Sequence, residues 1–128
     1  MERNKRIQFW GRSKSDDRLL NQVLDGRKTA TACPSFESNI PVGDYDDGGY
    51  VVGDFVDVYD LRENLKCQIE ITEVYETTLN SISEKLWKEE CNSSAEEFKK
   101  DHIYCWSEHN PDDRFEFTAW HFRLIKIY

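Results

Sequence analysis

The sequence predicts an α+β domain whose sheet curls into a small barrel. Three observations carry that prediction. Two segments, residues 54–60 and 65–74, alternate apolar and polar side chains with a period of two. The apolar residues Leu19, Leu20, Val23 and Leu24, and later Phe98, His102, Cys105 and Trp106, repeat at helical spacing instead. The chain ends on a long aromatic strand, residues 115–128. Helix, strands, helices and strand, in that order and within 128 residues, make one domain spanning 1–128.

In chain order, Ile7-Gln8-Phe9-Trp10-Gly11 is a short apolar opening segment that stops at a glycine turn. A helix follows over residues 16–25, with Asp16 and Asp17 where an N-cap and first turn favour acidic groups, and Gly26 at the left-handed C′ position that ends it. The run Gly26-Arg27-Lys28-Thr29-Ala30-Thr31 therefore occupies a helix-to-strand corner, where a rigid scaffold presents polar groups to a pocket. Residues 33–52, rich in Pro, Gly, Asp and Tyr, read as a long loop, either a lid over a site or a surface insertion. Residues 54–60 and 65–74 form a hairpin around Arg62-Glu63-Asn64, with Phe55 and Asp57 on the face opposite Val56 and Val58. The stretch Asn80-Ser81-Ile82-Ser83 caps a helix through Glu90, and Ser93 or Ser94 caps another from Ala95 to about His109, halted by Asn110-Pro111.

The formal net charge of -8 and pI near 4.9 exclude a protein that grips nucleic-acid phosphates non-specifically, and no DNA partner is expected. A small, locally basic pocket for a nucleoside or one RNA end remains compatible. No segment approaches the roughly 20 apolar residues that span a bilayer, and no apolar stretch follows the charged N-terminus, so a cytoplasmic setting without membrane contact is expected. In that reducing setting Cys33, Cys67, Cys91 and Cys105 are expected as free thiols; none forms a Cys-x-x-Cys pair.

A threonine hydroxyl becomes a nucleophile when a base takes its proton, and a lysine serves as that base where burial or a cationic neighbour such as Arg27 lowers its pKa. On a regular strand Lys28 and Thr31 would face opposite ways, so Lys28 must lie in the turn for the two to converge. The plainer reading is that Lys28 complements a helix dipole and the threonines favour a strand. Glu90 stands among several acidic residues between 84 and 101, and spacing does not separate it from Glu89. His102, Cys105 and His109, with Cys91 upstream, match no strong metal signature, and no metal or cofactor is expected. Trp10, Tyr45, Tyr50, Tyr104 and Trp106 are candidates to stack a base, or to fill the core and rim. No Gly-rich phosphate loop, nucleophile elbow or His-Glu-x-x-His motif is present.

Phe9-Trp10-Gly11, Leu19-Leu20, Val23-Leu24 and Gly26-Arg27-Lys28-Thr29-Ala30-Thr31 together resemble the opening signature of the ASCH domain, a PUA-like fold. The resemblance continues through Gly53-Asp54, Glu70-Ile71-Thr72-Glu73-Val74, Glu89-Glu90 and Trp106-Ser107-Glu108-His109. It implies a small, mostly antiparallel β-barrel with flanking helices and a cleft beside the Gly-x-Lys-Thr loop, in a superfamily associated with RNA. Small bacterial ASCH proteins include an amidohydrolase that deacetylates N4-acetylcytidine with a lysine, a threonine and a glutamate, which match Lys28, Thr31 and Glu90. This chain is longer in residues 33–52 and after Cys91, and in both respects is more similar to a larger ASCH subgroup. The expectation is an amidohydrolase acting on an acylated pyrimidine nucleoside. Thr31 is its nucleophile, Lys28 its base and Glu90 their support, while Arg27, Thr29, Trp106 and His109 hold the ligand. The alternatives are a non-catalytic RNA- or nucleotide-binding module and, behind it, a ribonuclease.

Overall fold

The structure is a computed structural model that describes residues 4–35 and 49–128. Most of the long loop expected at 33–52 lies outside the described residues. Nine elements follow one another among the described residues. They are β1 (Lys5–Gln8), α1 (Arg18–Leu24), β2 (Ala30–Pro34), β3 (Phe55–Tyr59), β4 (Leu65–Thr78), α2 (Glu84–Glu89), α3 (Ala95–Cys105), a 3₁₀ turn (Ser107–His109) and β5 (Glu116–Ile127). The strands form one five-stranded sheet in the order β1-β3-β4-β5-β2, with β1 parallel to β3 and every other pair antiparallel. The long β4–β5 ribbon changes register between Gln68 and Ile69 and between Ile71 and Glu73. Such bulges bend a strand and increase its twist, and the sheet curls into a half-barrel with three helices.

The hairpin forms as its alternation requires. Val56 and Val58 are fully buried, whereas Phe55 on the other face is exposed. Asn64, Arg62 and Asp60 close its turn, with the Asp60 carboxylate accepting from the Arg62 and Asn64 amides at 2.9 Å each. β4 runs four residues beyond the expected Val74, because Tyr75 to Thr78 pair with Ala119 to Glu116 of β5. β1 is a strand that the sequence shows only as an apolar opening. Its four residues Lys-Arg-Ile-Gln carry no period of their own, and pairing with β3 makes them extended.

β5 is buried along six consecutive residues, Phe117–Phe122, because it separates two cores. Trp120 and Phe122 face Phe9, Leu20, Val23, Val56, Val58, Ile69 and Ile71, beneath α1. Phe117 and Ala119 face Ala30, Leu79, Leu86, Phe98 and Trp106, beneath α2 and α3. The two polar residues in this run, Thr118 and His121, are hydrogen-bonded, the first to Ser35 and the second to Tyr75 and Glu89. The four cysteines are free thiols, and no helix among the described residues is long and apolar enough to cross a membrane.

Candidate functional site

The corner after α1 forms as its glycine dictates. Gly26 adopts φ +76°, and the amides of Arg27 and Lys28 both return to the Gln22 carbonyl at 2.9 and 3.0 Å. Lys28 is thereby held in the turn before β2, the position from which its side chain can leave the strand's alternation. The helix start differs from expectation in detail. Asp17 is the N-cap residue but makes no side-chain cap, pairing instead with Arg62 at 2.7 Å. The Asp16 carboxylate takes the amides of Arg12 and Arg18 at 2.9 and 3.2 Å.

The partner of Lys28 is set by the other end of the molecule. Ser83 caps α2 by accepting from the Leu86 amide at 3.1 Å, and Glu90 closes that helix. Cys91 then turns left-handed at φ 64°, a conformation that costs a non-glycine residue roughly 1–2 kcal/mol. The Asn92 amide returns to the Trp87 carbonyl at 2.8 Å. This wound-back end aims Glu90 at the β2 corner. Lys28 Nζ lies 2.5 Å from Glu90 Oε1, and the two side chains are only 4% and 6% exposed. On the far side of the carboxylate, Nε2 of His102 lies 3.1 Å from Oε2.

His102 is oriented by its own helix. Its Nδ1 lies 2.8 Å from the Phe98 carbonyl, which only accepts, so Nδ1 carries a proton. Its ring stacks on Phe98 at 3.9 Å. The Nε2 contact is close but not aligned as a hydrogen bond, and Oε2 of Glu90 has no hydrogen-bond donor among the described residues. Burial pushes the Glu90 carboxyl up, but the Lys28 ammonium and the His102 imidazole outweigh it and hold its pKa at about 2. Glu90 is therefore a carboxylate throughout the neutral range.

The neighbours of this pair are bonded to each other. Thr29 donates its amide to the Glu89 carbonyl at 2.8 Å and its hydroxyl to Glu89 Oε1 at 2.9 Å. The same Oε1 lies 2.9 Å from His121 Nδ1, and His121 Nε2 lies 2.8 Å from the Tyr75 hydroxyl. Thr29 and Glu89, each next in sequence to a member of the Lys28–Glu90 pair, thus clamp the β2 corner to the end of α2. Thr29 serves this clamp; it does not line the cleft described next.

Lys28, Glu90 and His102 lie at the base of a cleft of about 820 Å³ between α1 and α3. Trp10, Arg12 and Arg18 line one wall, and Lys100 and Tyr104 the other. Trp10 is 48% and Tyr104 74% exposed, free to stack on a ligand.

The remaining expected ligand-holding residues are elsewhere. Arg27 is exposed and pairs with Asp25 at 2.9 Å. Trp106 is buried against Phe115 and Phe117, since α3 turns its apolar face to the core. α3 stops at Cys105, so His109 falls on the following 3₁₀ turn and stacks on Phe115 at 6.4 Å. Neither lines the cleft. Thr31 pairs with Trp120 on β2, and alternation with Ala30 and Ala32 puts it on the face of Phe9, Cys33 and Trp120. The Lys28 ammonium also reaches that face, 5.8 Å from the Phe9 ring centre. Thr31 itself is not among the residues lining the cleft.

Arg12, Arg18 and Lys100 carried no signal in the sequence as site residues, being single cations on turns and helix faces. His102 did carry one, its helical spacing to Phe98 and Trp106, but that spacing read as a helix face packed on the core, and its alignment with Cys105 and His109 matched no strong metal signature. Among the described residues no group of three or more His, Cys, Asp or Glu is disposed to hold a metal ion.

Comparison with known proteins supplies the remaining frame. A family model described as the ASCH domain matches residues 5–126. A crystal structure of an Enterococcus faecalis protein superposes with a TM-score of 0.81 at 18% identity, covering 100% of this chain and 80% of that one. The ASCH domain of Lactobacillus crispatus gives 0.76 at 17% identity, covering 95% and 79%. ASCH from Zymomonas mobilis gives 0.55 at 15%, covering 95% and 71%. A search of curated proteins found no significant match. With its half-barrel, its three helices and a family match across nearly its whole length, the chain belongs to the ASCH domain family, whose fold is PUA-like.

Proposed function

We propose that the protein hydrolyses the exocyclic amide of an acylated pyrimidine nucleoside, with N4-acetylcytidine as the reference substrate. The observation that carries this reading is the buried Lys28–Glu90 pair at the base of an open, aromatic-walled cleft. Taking two charges out of water is a poor way to stabilise a fold, since desolvation offsets most of their attraction. A pair of this kind beside a cleft is better explained by proton transfer.

A nucleoside stacked between Trp10 and Tyr104 would cover the cleft above the pair and remove the remaining water on its open side. In a dry site the neutral forms gain on the ionic ones, so the Lys28 proton moves to Glu90 and the amine lone pair is freed. Thr31, on the face that the Lys28 ammonium also reaches, is the nucleophile in this reading: its hydroxyl turns from the strand face to the cleft and attacks the acyl carbon as Lys28 takes the hydroxyl proton. Glu90 gives its proton to the departing N4 amine, and the acyl group remains as an ester on Thr31. Lys28 then passes its proton to Glu90 once more, takes a proton from the water that attacks the ester, and returns it to the departing Thr31 oxygen, which releases the carboxylic acid and restores the hydroxyl; Glu90 gives its proton back to Lys28.

The test is loss of N4-acetylcytidine absorbance with wild type, Lys28→Ala and Thr31→Ala. Turnover by wild type that both variants lose is the expected result. Activity retained by Thr31→Ala but lost by Lys28→Ala would assign the nucleophile to water. A folded wild type that binds cytidine and turns over no acylated form would make the domain a binding module.

A further inference from the structure

Of the 17 basic side chains, Lys5, Arg27, Lys28, Arg62, Lys85, Lys88, Lys99 and Arg123 sit in ion pairs among the described residues. Arg12, Arg18 and Lys100 do not: none makes a side-chain ion pair or hydrogen bond among the described residues, and all three line the cleft. The Asp16 carboxylate accepts from the backbone amides of the two arginines. On the other wall, Glu97 and Asp101 accept from Asn92, at 3.2 and 3.1 Å.

The arrangement has a direction. Lys28 and Glu90 are buried at the base, whereas Arg12, Arg18 and Lys100 are exposed at the mouth, the arginines at and before the start of α1 and the lysine on α3. The aromatic side chains Trp10 and Tyr104 share that mouth. Resting on the reading of the cleft as a nucleoside site, we infer that its mouth is a phosphate subsite, and that the ligand is a pyrimidine nucleoside 5′-phosphate rather than a free nucleoside. The base lies towards Lys28 and Glu90, and the phosphate reaches the three cations, of which the arginines offer two-pronged donors. A mononucleotide fits better than a strand. The cleft is a pocket of ligand size, and the net charge of -8 around it repels a polyanion.

Calorimetric titration of cytidine, cytidine 5′-monophosphate, inorganic phosphate and a short cytidine-containing RNA tests this without requiring turnover. Wild type is compared with Arg12→Ala/Arg18→Ala and with Lys100→Ala. The monophosphate is expected to bind about tenfold or more tightly than cytidine, the worth of one or two charge-assisted hydrogen bonds. That ratio should fall towards one in the arginine variant and in high salt. Equal binding of cytidine and its monophosphate overturns the phosphate subsite and leaves the nucleoside site standing. A ratio unchanged in both variants overturns the assignment to these cations. Inorganic phosphate binding as tightly as the monophosphate reduces the mouth to a general anion site, and RNA binding more tightly overturns the mononucleotide. If neither cytidine nor its monophosphate binds, the nucleoside reading itself fails.

Discussion

Glu89 and Glu90 are consecutive, identical in type and placed at the end of the same short helix, yet the fold gives them opposite work. Glu89 turns towards β5 and holds Thr29 and His121, with a side chain that is partly open to water. Glu90 turns towards α3, is closed off from water, and faces the ammonium of Lys28 and the imidazole of His102. One carboxylate fastens two segments together; the other sits at the base of the cleft. About 100° of helical rotation separates them. The difference shows that the chemistry of this site comes from where the helix ends, not from which residue types it contains.

Breaking the Glu90 side should have the largest effect. Removing one member of a buried ion pair leaves the other charge uncompensated, at roughly 3–5 kcal/mol. Glu90→Ala and Lys28→Met should each lower the unfolding free energy by about that much, read from urea denaturation. The double variant Lys28→Met/Glu90→Leu should recover most of the loss, since an apolar pair replaces two desolvated charges. It should recover no turnover. Recovery of both stability and activity would show that the pair is structural and that the two glutamates do not differ as described.

The pH dependence sharpens the same contrast. The folded pKa of Glu90, about 2, lies below its ordinary value of 4.5. A depressed carboxylate contributes stability that is fully present above the unfolded pKa and is lost as pH falls towards the folded one. Between about pH 4.5 and 2 the wild type should therefore lose roughly 3 kcal/mol through this group. Glu90→Gln, weaker at neutral pH, should show a flatter acid limb, whereas Glu89→Gln should keep the wild-type slope.

Part of this was legible in the chain. Gly26 announces the end of α1 and places Lys28 in a turn, and the alternation around Val56 and Val58 identifies the hairpin. The meeting of Lys28 with Glu90, 62 residues later, is written in no local period. Resemblance to the ASCH signature pointed to it, and the resemblance alone separated Glu90 from Glu89. It could not show that Trp106 packs into the core or that His109, beyond the end of α3 at Cys105, stacks on Phe115 away from the cleft. Nor could it find Arg12, Arg18 and Lys100, which become a group only when α1 and α3 are brought to opposite walls of one cleft.

The Glu89 side should respond less, and in a different quantity. Glu89→Ala strands the Thr29 hydroxyl and the buried His121 ring, at about 1–3 kcal/mol. It also loosens the corner that carries Lys28, and a displacement of about 1 Å there can lower kcat by up to about a hundredfold. KM should hardly change, because neither Glu89 nor Thr29 lines the cleft.

Thr29→Val is the mildest form of this test. It keeps the side-chain volume and the amide bond to the Glu89 carbonyl, and removes only the hydroxyl bond to the Glu89 carboxylate. Glu89 retains His121 as a partner, so the expected loss is about 1 kcal/mol in unfolding free energy. The expected fall in kcat is severalfold, with KM unchanged. If Thr29→Val lowered kcat as far as Lys28→Ala, the hydroxyl would be acting on the substrate, and Thr29 rather than Thr31 would become the candidate nucleophile. If it lowered stability but left kcat untouched, the backbone bond from Thr29 to Glu89 would suffice to hold Lys28 against Glu90, and the side-chain clamp would serve the fold alone.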